Sequence, residues 1–425
     1  MKTTHPQQIQ CDVMIIGSGL TGMAAAIFLA NRGQKVMISG ETGELQFASS
    51  YIDLMGVHPI ATQTVWDDPW AAISAVQKDL PNHPFSRMKH DDIQNALVEY
   101  MAFTQSQGLT YIQFDQKNVH ALTPVGTLKP TYAVLKTMSE GIQSFQQQKD
   151  CLFIDFKGYK EYSAKLLTET LKPKWPNIRA ITIPFPGLSH LNEVYPLQMA
   201  QQLLYETNID ALAEVILSHL ENAQAIGIPA ILGEQSSETL MMTLSNKIGV
   251  PVFEIPTPPP AITGLRIKQA ITKGLIKKGV RLFEQTLVNQ VTPNQDGSFT
   301  IDLAHQNCTQ ITCTKIILAT GRFFGKGLKS TRKEIIEPLL NLPVYYPSER
   351  NNWHAHAFFD SKGHALNQAG IEINNTFQPI NSKGEIVFNN VFVAGSILAH
   401  QDWMRMKCGS SLAIATAYGA VKAMI

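Results

Sequence analysis

Three glycines near the start of the chain have the spacing of a nucleotide-phosphate loop. Gly17, Gly19 and Gly22 fit the pattern GxGxxG, and Ser18 stands between the first two. In this pattern the first glycine permits a tight turn, the second lets backbone N–H groups approach a pyrophosphate, and the third lets a helix pack closely on a strand. An apolar run precedes the glycines and an Ala-rich run follows them. The sequence therefore predicts a strand, a phosphate-binding turn and a helix, with a glycine turn that binds no nucleotide as the alternative.

The acidic residue that usually ends the second strand of such a motif is missing. An Asp or Glu at that position hydrogen-bonds the adenosine ribose. Here the second strand is predicted at 35–39 and its tip falls near Gly40, with Glu41 one residue further along. We therefore expect the adenosine half of the ligand to use a displaced Glu41, to be held differently, or to be missing.

A parallel sheet must position these residues, because ligands bind outside the carboxyl ends of its strands. The apolar runs predict strands of this sheet at 12–16, 35–39, 315–318 and 391–395, and helices at 20–31 and 410–424. Apolar runs of four to eight residues bounded by glycine are typical of buried parallel strands.

Inserted segments separate these strands along the chain. Residues 126–260 mix strand patterns, at 152–156, 181–183, 230–232 and 252–255, with helical ones. This segment ends in the proline-rich run 256–260, which cannot continue a helix or a central strand. We predict a discontinuous α/β domain of the Rossmann-like type at 1–125, 261–328 and 385–425, an inserted α/β or α+β domain at 126–260, and a second inserted piece at 329–384.

The composition excludes several classes of protein. The 425 residues are 44% hydrophobic and 16% charged, which describes a folded chain long enough for two or three cores. The formal net charge is only +1, without long runs of like charge, so binding to nucleic acid is not expected. The uncharged run at 13–30 contains turn glycines, which favours buried core over a membrane span.

The cysteines and histidines give no metal-site spacing. The cysteines are scattered and form no CxxC pair: Cys11, Cys151, Cys308, Cys313 and Cys408. This usage suits a reducing cytoplasm, and it cannot supply an ordinary iron–sulfur site, which needs four thiolates. His354 and His356 have no carboxylate cluster near them in the sequence, so we predict no metal.

Several segments together resemble a known family. The glycine motif with 317–321 and 391–395 is similar to the three-part pattern of two-dinucleotide-domain flavoproteins, in which the last two strands complete the flavin-binding sheet. More closely, the chain resembles the B subunit of anaerobic glycerol-3-phosphate dehydrogenase over nearly its full length. The residues that carry this resemblance are 47–54, 122–128, 256–260 with 264–266, and Gly409 ahead of a helix rich in small residues.

The resemblance implies a function and partners. It implies a flavoprotein subunit that works with a catalytic flavoprotein, the A subunit, plus a membrane-attached iron–sulfur protein, the C subunit. The complex would oxidise sn-glycerol 3-phosphate to dihydroxyacetone phosphate and pass electrons to quinone, in anaerobic respiration with fumarate or nitrate as terminal acceptor. The chain would be cytoplasmic and attached peripherally to the inner membrane through a partner. The alternatives are a self-sufficient FAD oxidoreductase that uses NAD(P)H, and a non-catalytic scaffold for a flavoprotein partner.

The flavin itself is expected at the glycine motif and the two later strands. The missing acid near Gly40, together with what the resemblance implies, places FMN slightly ahead of FAD. Where flavoproteins of this superfamily often have an aspartate after the last Ala-Gly pair, this chain has a serine, whose hydroxyl can donate to a phosphate. The expected cofactor-binding residues are Gly17, Ser18, Gly19, Gly22, Ser49, Ser50, Thr320, Gly321, Gly395 and Ser396. For the serines at 49 and 50, capping of a turn is the alternative.

The candidate catalytic residues are His400 and Arg266. His400 and Asp402 follow the last predicted strand closely and could form an acid/base pair, although a loop histidine often lies on the surface. Arg266 stands near the start of a predicted helix and could grip a phosphate bidentately, with a solvated surface arginine as the alternative. Arg322 and Lys326 flank the Gly321 loop, where a structural role and a role at the flavin are equally expected.

Overall fold

The computed structural model describes residues 7–41, 44–259, 261–304 and 309–425, so that Pro260 and Cys308 lie outside the described residues. Its strands are β1 (Gln7–Ile16), β2 (Val36–Gly40), β3 (Tyr111–Gln113), β4 (Val119–Leu122), β5 (Leu128–Thr131), β6 (Ala133–Leu135), β7 (Cys151–Phe156), β8 (Ile178–Ile183), β9 (Ala225–Pro229), β10 (Val252–Ile255), β11 (Arg281–Glu284), β12 (Val288–Pro293), β13 (Phe299–Leu303), β14 (Thr309–Leu318), β15 (Lys329–Ser330), β16 (Ile335–Ile336), β17 (Val344–Tyr345), β18 (Gly370–Ile371) and β19 (Val391–Val393). Its α-helices are α1 (Leu20–Asn31), α2 (Pro69–Asp79), α3 (His90–Ser106), α4 (Lys136–Gln146), α5 (Ala164–Leu171), α6 (Pro196–Gln202), α7 (Glu206–Leu217), α8 (Ser237–Ile248), α9 (Ile262–Lys277), α10 (Trp403–Met406) and α11 (Gly409–Met424).

The chain divides into two compact units, which we call the first unit and the second unit. The first unit comprises Met1–Glu44, Asp53–Phe103 and Ile271–Ile425. The second unit comprises Leu45–Ile52 and Thr104–Ala270. Each unit is therefore built from segments that are far apart in the sequence.

These bounds differ from the predicted domains in four places, because 45–52, 104–125 and 261–270 belong to the second unit and 329–384 belongs to the first. The second unit begins at 104 rather than 126, because strands β3 to β6 pair among themselves and Ile52 bridges Ala133 within that unit. The predicted second inserted piece, 329–384, belongs to the first unit, because Ile371 bridges Leu398 and the Val393 N–H donates to the Phe377 carbonyl. These pairings join segments that are far apart in the sequence, which sequence periodicity does not report.

The first unit is built on a mixed sheet in the order β11-β2-β1-β14-β13-β12, with β19 also paired to β14. Strands β2, β1, β14 and β19 run parallel, with Ile16 opposite Ser39 on one side and opposite Leu318 on the other. Val13 to Ile16 in β1 are at most 3% exposed, as expected for a parallel strand covered on both faces. The predicted Rossmann-like architecture is confirmed, and the predicted helix at 20–31 coincides with α1.

The second unit contains a sheet of parallel strands in the order β10-β9-β7-β8. The strand expected at 230–232 is instead the buried segment just after β9, which spans Ala225–Pro229. The whole run from Ala225 to Leu232 is buried, so hydrophobicity alone does not mark where the strand ends. With helices between its strands, this sheet is of the α/β kind.

The run at 13–30 that looks apolar in the sequence forms the end of β1 and most of α1. None of the helices in the described part of the chain has the length and hydropathy of a membrane span. Among the same residues, no cluster of three or more His, Cys, Asp or Glu side chains could hold a metal ion.

Candidate functional site

The glycine motif forms a tight turn between β1 and α1. Gly17 has φ +116°, a conformation that favours glycine, and its N–H donates to the Ser39 carbonyl at 2.7 Å. A Cβ on Gly17 would overlap the Ala319 carbonyl, and one on Gly22 would overlap the Gly17 carbonyl. Gly19 is the N-cap of α1, so the helix begins without a side chain over its first turn. The turn thus presents a helix N-terminus, which favours an anion.

The carboxyl ends of β14 and β19 lie beside this turn. The register places β1, β14 and β19 side by side in the sheet, so the segments after Ile16, Leu318 and Val393 share one edge. Beyond β14, the Thr320 hydroxyl is buried and has no hydrogen-bond partner. Such a buried orphan hydroxyl is unusual in a folded protein and marks a place for a polar ligand atom.

The loop after β19 is fitted closely to α1 and α11. Gly395 has φ +84°, and its N–H donates to the Thr416 hydroxyl at 2.8 Å. A Cβ on Gly395 would overlap the Thr21 hydroxyl of α1. Ser396 follows directly, so the structure brings the predicted Gly395 and Ser396 to the same edge as the glycine turn.

The end of β2 offers no free carboxylate. Gly40 is packed against Ser18, so a side chain at position 40 would overlap the Ser18 hydroxyl. Glu41 forms an ion pair with Lys326. The acid expected from other dinucleotide-binding folds is therefore absent at position 40, and its neighbour is already engaged by a lysine.

Arg322 holds the loop after β19 in place. Its Nε donates to the Ser396 carbonyl at 2.7 Å, and one of its terminal nitrogens donates to the Gln401 carbonyl at 2.9 Å. The other terminal nitrogen donates to the Asn367 carbonyl. Burial lowers the pKa of Arg322 to about 10, which leaves it a cation at neutral pH. Of the two roles that the sequence leaves open for this residue, the structure supports the structural one.

Ser49 and Ser50 belong to the second unit, whereas the other predicted cofactor residues belong to the first. Ser50 has φ +70°, and its hydroxyl is buried without a hydrogen-bond partner. The Ser49 hydroxyl accepts a long hydrogen bond from the Tyr51 N–H, at 3.4 Å. This contact is of the turn-capping kind, while Ser50 keeps a hydroxyl available for a ligand.

His400 does not pair with Asp402 as expected. Its Nε2 lies 2.7 Å from Glu372 Oε1, and its ring packs 4.1 Å from the ring of Tyr345. Asp402 instead accepts from Arg405 at 3.1 Å and from the Asn367 side chain at 3.0 Å, and it caps α10. The acid partner of His400 comes from the segment after β18, which no local pattern in the sequence links to position 400.

His83 is a buried histidine in the first unit that no sequence motif marks. Its Nδ1 accepts from the Phe85 N–H at 3.1 Å, while its Nε2 is buried without a partner. Burial lowers the pKa of His83 to about 3, with smaller contributions from His58 and His400. The ring is therefore neutral, and the Nδ1 contact leaves the proton on Nε2.

The placement of Arg266 differs from the expectation of a phosphate ligand. Its guanidinium donates to both carboxylate oxygens of Glu254, at 2.5 and 2.7 Å, and its Nε donates to the Gly233 carbonyl at 2.6 Å. Both side chains of the pair are fully buried. Arg266 is thus a structural ion-pair residue of the second unit, because its partner Glu254 in β10 already occupies the fork that would grip a phosphate.

Residues 12–412 match the model of the FAD-binding domain family, and the chain belongs to that family. The glycine turn, the helix N-terminus and the orphan Thr320 hydroxyl fit the phosphate-bearing part of a flavin nucleotide. The chain is therefore a flavoprotein, a class whose cofactor carries out oxidation and reduction.

Curated relatives confirm the closer resemblance. The chain is 28% identical over 424 residues to the B subunit of the anaerobic glycerol-3-phosphate dehydrogenase of Vibrio vulnificus (strain YJ016), covering 97% of this chain and 95% of the relative. It is also 28% identical to the probable B subunit of the same enzyme from Halobacterium salinarum, covering 97% of each. Among solved structures, a 3-ketosteroid-Δ4-(5α)-dehydrogenase from Rhodococcus jostii RHA1 overlaps with a TM-score of 0.35 at 11% identity, covering 100% of this chain and 98% of that one.

Proposed function

We propose that this chain is the flavin-bearing B subunit of an anaerobic glycerol-3-phosphate dehydrogenase. In this proposal the complex oxidises sn-glycerol 3-phosphate to dihydroxyacetone phosphate and delivers the electrons to quinone. The observation that carries the proposal is the match over 97% of the chain to relatives of that name. The edge of the first unit that carries the glycine turn and the loops after β14 and β19 supports it.

The cofactor proposed here is FMN, with FAD as the alternative. An adenosine ribose is usually held by a carboxylate at the end of the second strand. In this chain Gly40 packs against Ser18, and Glu41 forms an ion pair with Lys326. Neither residue therefore provides the usual carboxylate contact to the ribose. A single phosphate needs only the α1 N-terminus and nearby hydroxyls, such as that of Ser396.

The remaining predicted cofactor residues also have roles in binding the flavin in this proposal. Gly17, Gly19 and Gly22 shape the turn at the phosphate, and Thr320 offers its orphan hydroxyl to a polar atom of the cofactor. Gly321 follows it in the same loop. Within the second unit, Ser50 keeps a buried hydroxyl for a polar ligand atom, and Ser49 supports the turn through its contact to Tyr51.

If the substrate is oxidised on this chain rather than on the A subunit, His400 is the proposed proton acceptor in the first unit. When bound, the flavin supplies the group that accepts electrons from the substrate carbon. Removal of the hydroxyl proton of glycerol 3-phosphate needs a base, and Glu372 orients His400 through Nε2. In the tautomer whose Nε2–H donates a hydrogen bond to Glu372, Nδ1 carries the lone pair that accepts the substrate proton. Arg266 has no part in this step, because Glu254 already engages it.

The proposal includes partners. A catalytic flavoprotein, the A subunit, together with an iron–sulfur protein, the C subunit, would complete the complex, and the latter would provide attachment to the inner membrane from the cytoplasmic side. The name of the relatives, which designates one subunit of several, supports a complex. The small-molecule substrate is glycerol 3-phosphate, and no nucleic acid is involved.

Identification of the bound cofactor tests this proposal. We expect the purified chain to be yellow and to release about one FMN on heating, identified by chromatography against FMN and FAD standards. The Gly19→Val variant should lose the flavin, because a branched side chain at the N-cap of α1 blocks approach of the phosphate. Gly33→Ala is the control: a Cβ there meets no atom within 4 Å, and the strain that its φ of +72° imposes on alanine lies at the other end of α1 from the glycine turn.

Two outcomes test the identity of the cofactor and its location separately. Stoichiometric FAD would overturn the choice of FMN and leave the flavoprotein assignment intact. Full flavin absorbance in a folded Gly19→Val variant would place the cofactor away from the glycine turn.

A further inference from the structure

The second unit has a sheet whose topology creates a ligand crevice of its own. Its strand order is β10-β9-β7-β8, so in chain order the strands lie 4-3-1-2 across the sheet. The chain leaves β7 toward β8 on one side and leaves β9 toward β10 on the other. Neighbouring parallel strands with diverging connections define a topological switch point, and ligands in α/β sheets bind there, outside the carboxyl ends of the strands.

Four buried polar atoms without partners lie in the segments that follow these strands. They are Asp155 Oδ1 near the end of β7, the hydroxyls of Tyr159 and Tyr162 just after it, and the Thr257 hydroxyl just after β10. Each of these residues is at most 8% exposed. Buried polar atoms are nearly always hydrogen-bonded, so a group of four in one region calls for a ligand or water.

Three pairwise effects connect the four side chains, because Asp155 and Tyr159 act on Tyr162 and Thr257 acts on Tyr159. Burial raises the pKa of Tyr162 well above its ordinary value, and the charge of Asp155 and the presence of Tyr159 raise it further. Burial also raises the pKa of Tyr159 to about 12, an effect that the nearby Thr257 hydroxyl reduces. Both phenols therefore keep their protons at neutral pH and offer O–H groups.

The surrounding backbone holds the cluster in place. Asp155 Oδ2 accepts from the Ala164 N–H at 2.9 Å, which fixes the carboxylate and leaves Oδ1 for another donor. The Tyr159 N–H donates to the Phe156 carbonyl at 2.9 Å. On the β9 side, the buried pair of Arg266 and Glu254 fixes the loop after the strand through the Gly233 carbonyl and the Leu232 N–H.

The donors and acceptors of the cluster select the ligand. Three O–H groups can both donate and accept, and the carboxylate oxygen only accepts. A phosphate would face the carboxylate of Asp155, and the further charge that acts on Tyr159 is also a carboxylate, that of Glu161. An ammonium group would leave the three O–H groups without an acceptor. Hydroxyl groups of a ligand satisfy all four atoms.

We propose that the second unit binds a small uncharged polyol at the switch point between β7 and β9, held by Asp155, Tyr159, Tyr162 and Thr257. The site belongs to the second unit alone and does not depend on the flavin or on the proposed dehydrogenase function. It takes the uncharged polyol rather than a phosphorylated one, because its four side chains include a carboxylate and no cation to balance a phosphate.

Calorimetry of the full chain with glycerol as the probe tests this proposal. We expect saturable heat with wild type and about a tenfold loss of affinity in Tyr162→Phe, which removes one ligand hydrogen bond and keeps the ring. Tyr205→Phe, at an exposed tyrosine of the same unit, should bind as wild type. Glycerol 3-phosphate should give no saturable heat at the Tyr162 site, so its signal should be the same in wild type and in Tyr162→Phe.

Thermal unfolding separates a bound polyol from ordered water. Without ligand, Tyr162→Phe should melt no lower than wild type, since it removes an unpaired buried hydroxyl. Glycerol should then raise the melting temperature of wild type more than that of Tyr162→Phe. An equal rise in both variants, or calorimetry without saturable glycerol heat, would mean that glycerol acts only as a cosolvent and that the four atoms hold water, which overturns the proposal.

Discussion

His83 shows how one buried side chain makes stability depend on pH. Its pKa is lowered from 6.5 to about 3, mainly by burial, so the folded chain binds fewer protons than the unfolded chain between these values. The contribution of neutral His83 to the free energy of unfolding is therefore fully present above about pH 6.5. As the pH falls toward 3, stability is lost by at most about 1.4 kcal/mol per pH unit.

Replacement of His83 by a residue that does not titrate tests this dependence. In His83→Asn the amide oxygen can still accept from the Phe85 N–H, and the group has no proton to gain. Urea unfolding between pH 4 and 7, an interval of ordinary titration for histidine, should show a flatter profile than wild type. His120→Asn, at an exposed histidine, should keep the wild-type slope. An unchanged slope in His83→Asn would assign the pH dependence to other groups.

Residue spacing predicts the glycine turn but not the partners of the charged candidates. Gly17, Gly19 and Gly22 are recognisable because the backbone conformation they permit is a local property. Arg266 and His400 are recognisable as candidates, yet their partners Glu254 and Glu372 lie on other elements. Pairing between side chains of different elements is set by the packing of those elements, and residue spacing does not encode it.

Arg322 and Gln401 hold the loop after β19 through hydrogen bonds to its carbonyls. Arg322 donates to carbonyls on both sides of this loop, at Ser396 and Gln401, and to the Asn367 carbonyl. In Arg322→Lys the charge stays but the fork is lost, so the Gln401 and Asn367 carbonyls lose this donor, while the Ser396 carbonyl still accepts from Gln401. We expect a loss of about 3 kcal/mol in unfolding free energy and weaker flavin retention.

Urea unfolding and flavin fluorescence after gel filtration measure the two effects. Arg332→Lys is the matched control, at an exposed arginine of the same unit, and should change neither. If Arg322→Lys retained both wild-type stability and flavin, the carbonyl contacts would not be what orders the loop.

Helices and strands with clear periodicity are predicted closely, and those within long apolar runs are not. The helix at 20–31 and the strand at 252–255 agree with the structure. The strand expected at 230–232 is displaced, because the apolar run there is longer than β9. Local pattern thus predicts the elements, while the assignment of 329–384 to the first unit requires the bridge from Ile371 to Leu398.

At the scale of the whole molecule, the proposal predicts that the chain cannot complete electron transfer alone. Burial raises the pKa of the Cys151 and Cys408 thiols, and a hydrogen bond to Cys11 together with burial raises that of Cys313. Buried thiols of raised pKa stay protonated, whereas cluster ligands must be thiolates. Under the proposed function, electrons that leave the flavin are therefore expected to pass to the iron–sulfur partner.

Quinone-reduction assays measure this directly. We expect the chain loaded with flavin to show no sustained oxidation of glycerol 3-phosphate with quinone, and the complex reconstituted with its catalytic and iron–sulfur partners to turn over. Sustained turnover by the chain alone would contradict the proposed division of labour.

The pairing of β1 with β14 also sets the order in which the nascent chain folds. The partners Gln7 and Thr309 are roughly three hundred residues apart, so at about 5–20 residues per second β1 leaves the ribosome on the order of tens of seconds before its neighbour. The parallel sheet of the second unit is complete once β10, ending at Ile255, has been synthesised. That sheet can form first, while the backbone N–H and C=O groups on one edge of β1 remain unpaired, a state in which strands bind chaperones or aggregate. Folding of the first unit therefore depends on translation speed and on chaperones more than folding of the second unit does.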